Sequence, residues 1–271
     1  SIIFINLLTS QGNASNFNID LNFVKVNSIH ICNVLIGKNE LNGQWFKKDN
    51  NLKKLYYKNK NYHVTSRIFK RGTKINLITL TFNYNLPIIQ LRLDKNCGFQ
   101  NIRLIKYKDA NPNKILSLDK DLKKVLAIED LNPIITNKLN PTKNNLIALV
   151  DTGVNYNLKT LSNHIAVKEK GKLFGYDFWD NDQYPFDNDP RRNPFYPRHH
   201  GTTVFSVIKN EAPNIRTAIY RFPALKMCKF KKLIKEISDN NLRIVNLSMG
   251  SRNKKDWECF LSAAKKYNHL I

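Results

Sequence analysis

The sequence has no run approaching the roughly 20 apolar residues of a transmembrane helix, so no segment of it is expected to cross a membrane as one. Acidic side chains are scarce: 21 Asp and Glu stand against 44 Lys and Arg, a formal net charge of +23 over 271 residues. Such a balance ordinarily points to nucleic acid or an anionic membrane surface. Here the lysines are spread over both halves, nothing gathers them on one face, and abundant Asn and Ile accompany them. A solvated basic surface is the simpler account, and no specific nucleic-acid partner is expected. There is no CxxC pair and no metal-ligand spacing among Cys32, Cys97, Cys228 and Cys259. These are either paired, as export would permit, or four small apolar residues. No internal repeat is visible, and the 42% apolar content excludes a wholly disordered chain while leaving room for one large core or two modest ones.

What is present begins with IIFINLL followed by TSQGNAS, which looks like the apolar core of a secretory signal with Gly12 and Ala14 as small residues before a cleavage point at Ser15. Residues 1–14 are therefore expected to be a signal-peptide remnant and the protein to be secreted or periplasmic; the alternative is a short apolar terminus. From residue 15 to 107 the stretches FNIDLNFVKV, YHVTSRIF, INLITLTF, PIIQLRL and NIRLIKY mix alternation with β-branched or aromatic residues, which predicts a small β-rich N-terminal domain. Within it KKDNNLKKLYYKNK reads as a polar hairpin or loop anchored by its tyrosines, or alternatively as a single-stranded nucleic-acid surface. Residues 108–145 read as a linker, with prolines and asparagines around one short helical stretch, LDKDLKKVLAI. Residues 146–271 alternate strand, polar loop and helix, the pattern of an α/β unit with a parallel sheet.

The chemistry concentrates in that last part. In NLIALVDTGV, four apolar residues run into Asp151 and then Gly153, a buried strand delivering a carboxylate to a strand-end turn. A buried carboxylate is costly unless paired; otherwise Asp151 is a helix cap or turn residue. In HHGTTVFSVI, His200 opens an apolar helical stretch and Gly201 permits close backbone approach, with His199 as its neighbour and rival. RIVNLSMGS repeats the strand-then-turn pattern and ends on Ser248, Met249 and Gly250.

Together the Asp-Thr-Gly, the His-Gly-Thr and the Asn-Leu-Ser-x-Gly, in that order, resemble the subtilisin-like serine proteases, the subtilases of peptidase family S8. The resemblance covers roughly the last 130 residues. It implies an incomplete doubly wound parallel sheet, a serine endopeptidase acting on polypeptide substrates, Asp151 orienting His200 as general base, and Ser248, Met249 and Gly250 as the edge segment that pairs with extended substrate. The family's Ala-Pro after the histidine motif is matched by Ala212 and Pro213, whereas its usual Val-Ala-Gly is replaced by Val204, Phe205 and Ser206, which enlarges that helix contact. The family's Gly-Thr-Ser, which carries the nucleophile, is not in this sequence. The chain as given is thus expected to be inactive, either part of a longer protease or a catalytically dead paralogue kept as a peptide-binding or regulatory module. The chemistry needs no cofactor. Calcium is an option at Asp177, Asp180, Asp182, Asp187 and Asp189, although their spacing is not an EF-hand loop and Asp with Pro also builds ordinary turns. Composition and motifs leave the oligomeric state open.

Overall fold

The computed structural model describes residues 19–48, 53–108, 110–137, 146–168, 171–223 and 227–267. The signal-like stretch at 1–14 and the terminal Leu270 and Ile271 lie outside them. The chain divides into two compact units, Ser1–Glu129 and Asp130–Ile271.

The first unit opens with α1, Leu21–Leu35, where the alternating pattern of FNIDLNFVKV predicts a strand. The helix wins for two local reasons. Asp20 caps it, its Oδ1 accepting from the amides of Asn22 (2.8 Å) and Phe23 (3.2 Å). Val24, Ser28, Ile31 and Cys32 recur at helical spacing and are buried, while Val26, on the other face, is exposed. Eight strands follow, β1 Trp45–Lys47, β2 Lys54–Tyr57, β3 His63–Arg71, β4 Lys74–Asn83, β5 Pro87–Leu93, β6 Phe99–Lys108, β7 Asn111–Leu118 and β8 Val125–Asp130. They form one sheet in sequence order, antiparallel from β1 through β7. The short connections between them make sequence order the natural outcome. One face carries Leu55, Val64, Leu80, Phe82 and Leu91 against Val24 and Ile31 of α1. Cys32 is bonded to Cys97, so the cysteines pair, and this bond ties the helix to the β5–β6 turn.

Two corrections fall in the stretch read as a linker. It contains β7 and β8, and the division between the compact units falls within it, at Glu129. LDKDLKKVLAI is not a helix but the end of β7, a turn and most of β8. The cause is Asp119, whose Oδ1 accepts from the amides of Lys123 (2.7 Å) and Lys124 (3.0 Å) and reverses the chain, with Leu122 taking a positive φ of 59°. The apolar residues that suggested a helix face, Leu126 and Ile128, are exposed on β8.

The second unit is a parallel sheet in the order β10–β11–β9–β12, with β9 Leu146–Asp151, β10 Gly175–Asp177, β11 Arg216–Arg221 and β12 Ile244–Leu247. Its helices are α2 Lys159–Ser162, α3 His200–Glu211, α4 Phe230–Asp239 and α5 Lys254–Ala264. The expected mixture of α and β around a parallel sheet is present. Alternate residues of β9 serve different clusters: Leu149 packs with Ile219 and with Phe205 of α3, whereas Ala148 and Val150 pack with Phe230, Leu233 and Ile237 of α4. Phe205, one of the residues that depart from the family pattern, is fully buried and fills the first of these clusters. A second disulfide joins Cys228 to Cys259 and so links the turn before α4 to α5. Among the described residues β12 ends the sheet, and an apolar cavity of about 200 Å³ beside it is lined by Val150, Phe230, Leu233, Val245, Leu247 and Phe260.

Candidate active site

Parallel strands in register bring their C-terminal ends to one edge. Asp177, Arg221 and Asp151 are the last residues of β10, β11 and β9, and they stand side by side in the pairing. This edge is where open α/β sheets place their ligands. Leu247 pairs with Val150, so Ser248 leaves β12 at the same end as Asp151.

Asp151 is 2% exposed, and its Oδ1 accepts from its neighbour's amide, Thr152 N, at 2.6 Å. The side chain of His200, the first residue of α3, is half exposed, and its Nδ1 lies 2.8 Å from Asp151 Oδ1 and 3.1 Å from Oδ2. A carboxylate only accepts, so Nδ1 carries the proton and donates it. In the neutral ring Nε2 is then left with its lone pair. His199 behaves differently: its Nδ1 meets the main-chain oxygen of Asp187 at 2.6 Å. Of the two histidines it is the ring of His200 that contacts Asp151.

Glycine is required where these pieces meet. Gly153 has φ +98°, and a Cβ there would strike the carbonyl of Phe186; a Cβ on Gly201 would strike the carbonyl oxygen of Gly153. The turn after β9 and the start of α3 can approach only as glycines. Hydrogen bonds then hold the approach: Gly201 N–H donates to Thr152 Oγ1 (2.9 Å), and Asn155 N–H donates to Thr202 Oγ1 (2.9 Å).

Each carboxylate of the acidic loop before α3 meets a protein donor, although the buried Oδ1 of Asp180 is left without one. Arg221, 1% exposed, donates to Asp177 (2.8 Å), Asp180 (2.6 Å) and the main-chain oxygen of Asn188 (2.8 Å). Its guanidinium also lies 4.8 Å from the Trp179 ring. Burial, reinforced by Asp180 and opposed by Arg221, pushes the Asp177 carboxyl up to about 6. Asp182 accepts from Asn132 Nδ2 (2.7 Å) and Tyr184 N (2.8 Å), and Asp189 takes a two-pronged contact from Arg191 at 2.8 Å. Asp187 accepts from Thr152 and Thr202, as described below. Five carboxylates weighed as calcium ligands thus each have protein partners, and among the described residues no three His, Cys, Asp or Glu side chains gather as a metal site requires.

Of the five residues expected from the sequence, Asp151 and His200 are in direct contact. Ser248, Met249 and Gly250 follow β12 at the same sheet edge, and the Ser248 hydroxyl is 3.3 Å from Asn246 Oδ1. Sequence reasoning missed Thr152 and Arg221. Thr152 lay inside a quoted motif, but nothing local marks Arg221, whose partners come from 33 to 44 residues away.

No helix among the described residues is long and apolar enough to cross a membrane. Comparison with known proteins returns one family: the model of the Subtilase family matches residues 142–269. No curated protein and no solved structure matches the chain. The match spans the parallel-sheet unit with both Asp151 and His200, and over this segment, a little under half of its length, the chain is similar to the Subtilase family of serine-type peptidases.

Proposed function

We propose that the chain carries the orienting and proton-accepting members of an Asp/His/Ser triad, acting on polypeptides as a subtilisin-like endopeptidase does. The observation that carries this reading is the His200 Nδ1 to Asp151 Oδ1 bond of 2.8 Å from a buried carboxylate to a half-exposed ring. Asp151 holds the imidazole with Nδ1 protonated and stabilises the imidazolium once Nε2 has taken the proton of an attacking hydroxyl. Ser248 to Gly250 present main-chain groups to an extended substrate, a role supported by their place beyond the terminal strand of the sheet.

No Gly-Thr-Ser occurs in the sequence, so this chain alone should hydrolyse no peptide bond at a triad rate. A peptidase assay decides it: turnover abolished by a serine-directed reagent would overturn the expected inactivity of this chain alone. A second reading, a peptide-binding or regulatory module, rests on the place of Ser248 to Gly250 beyond β12. It predicts that extended peptides shift the amide resonances of Met249 and Gly250 without being cleaved, and that Gly250→Pro, which deletes a donor, weakens binding. A secreted or periplasmic setting is supported by the two disulfides, Cys32–Cys97 and Cys228–Cys259.

A further inference from the structure

The residue that joins the two catalytic motifs is in neither of them. Asp187 lies in the loop before α3 and is fully buried. Its Oδ1 accepts from Thr152 Oγ1 at 2.6 Å, one residue after Asp151; its Oδ2 accepts from Thr202 N–H at 2.7 Å, two residues after His200. The N-cap of α3, His199, makes no side-chain capping bond, so the first-turn amides are satisfied from outside: Gly201 by Thr152 and Thr202 by Asp187. The loop is itself tied to the Asp151 turn, with Asn188 N–H donating to Thr152 O (3.0 Å) and Val154 N–H donating to Pro185 O (3.0 Å). Asp187 therefore closes a ring that runs from Asp151 through Thr152, Asp187 and Thr202 back to His200.

We propose that Asp187 is a positioning residue: it sets the distance and orientation between Asp151 and His200 by bridging Thr152 to the first turn of α3, and it touches neither the imidazole nor substrate. This rests on the reading of Asp151 and His200 as an orienting and base pair. The arrangement is expensive for any lesser purpose, since a fully buried carboxylate is retained at a point where a neutral cap would satisfy one amide. Burial raises its carboxyl above the ordinary value, while the bonds from Thr152 and Thr202 pull the other way.

The test uses the full chain and reads the His200 Nδ1 proton by NMR, through its solvent-exchange rate. In the parent protein that proton should be protected, and Asp151→Ala, which deletes the acceptor, should remove the protection. Asp187→Ala should speed its exchange about tenfold or more while the far-UV spectrum is kept. Asp187→Asn, whose amide oxygen can still accept from Thr202, should stay within about threefold of the parent. Should Asp187→Ala fail to fold, Thr152→Val breaks the same bridge from the other side and should show the same loss. Parent-like protection in a folded Asp187→Ala or Thr152→Val protein overturns the positioning role and leaves the Asp151–His200 reading intact. Unchanged protection in a folded Asp151→Ala protein overturns both.

Discussion

Among the described residues, the N-terminal unit buries only uncharged polar side chains, Ser28, Ser66, Thr79, Asn83 and Gln90, whereas the second unit buries Asp151, Asp177, Asp187, Asp189 and Arg221. Among the described residues the first unit has one helix over its sheet and an apolar core, and none of its charged side chains is fully buried. The second places its buried charges at the C-terminal ends of parallel strands and in the loop that meets them. Buried charge does not maximise stability, because desolvation offsets much of what pairing returns. A unit that keeps five such groups is organised around the geometry they impose, and Asp151 is one of them.

The largest effect should come from the buried cation, Arg221. Arg221→Ala strands Asp177, Asp180 and the Asn188 carbonyl together, and a broken buried pair costs about 3–5 kcal/mol. Denaturant unfolding followed at Trp179, whose ring stacks on Arg221, checks it. A loss under about 1 kcal/mol would put Arg221 among ordinary surface cations and undo the contrast between the units. In the first unit the matching effect is covalent. Cys32 and Cys97 are 65 residues apart, and removing their bond by paired alanine substitution should cost roughly 2–4 kcal/mol through the greater freedom of the unfolded chain. Comparing unfolding of the parent and the double variant measures it, and equal stabilities would contradict that role.

A third prediction uses pH. The folded carboxyl of Asp177 is pushed up to about 6, above its ordinary value, so the native state binds this proton more tightly than the unfolded one. Its stabilising contribution is therefore present below about pH 4 and is lost as pH rises through about 6, by at most about 3 kcal/mol. Asp177→Asn imitates the neutral form. Stability of the parent minus that of the variant should fall between pH 4 and pH 7, and a rise over the same interval would refute the shift.

These contrasts also show where the sequence could be read. Asp151 and His200 were legible because each sits in a contiguous run, a buried strand into a glycine turn and a glycine into a helix, so local rules apply. Asp187 was visible only as one more acid in a loop weighed for calcium, because its partners Thr152 and Thr202 are 35 and 15 residues distant. In the first unit, the start of α1 reads as a strand because its apolar residues alternate there as well as recurring at helical spacing; the Asp20 cap and the burial of the helical set decide for the helix. The turn at Asp119 hid two strands for the converse reason, since its lysines and leucines satisfy helical spacing until one carboxylate reverses the chain.

The smallest effect sharpens the comparison most, because it asks what a carboxylate is worth in the unit that keeps its charges near water. Asp20 Oδ1 accepts from two amides of α1, as Asp187 does from a hydroxyl and an amide around α3, but it does so at the exposed surface. Asp20→Ala should cost about 1 kcal/mol, and Asp20→Asn, which keeps the acceptor, only a few tenths. The loss should stay in the first turn, seen as faster amide exchange at Asn22 and Phe23, with Ile31 and Cys32 held by the core and the disulfide. If Asp20→Ala instead loosened the whole helix, the cap would be setting the stability of the first unit's core. The distinction between a carboxylate that ends a helix and one that aligns two motifs would then lose its energetic basis.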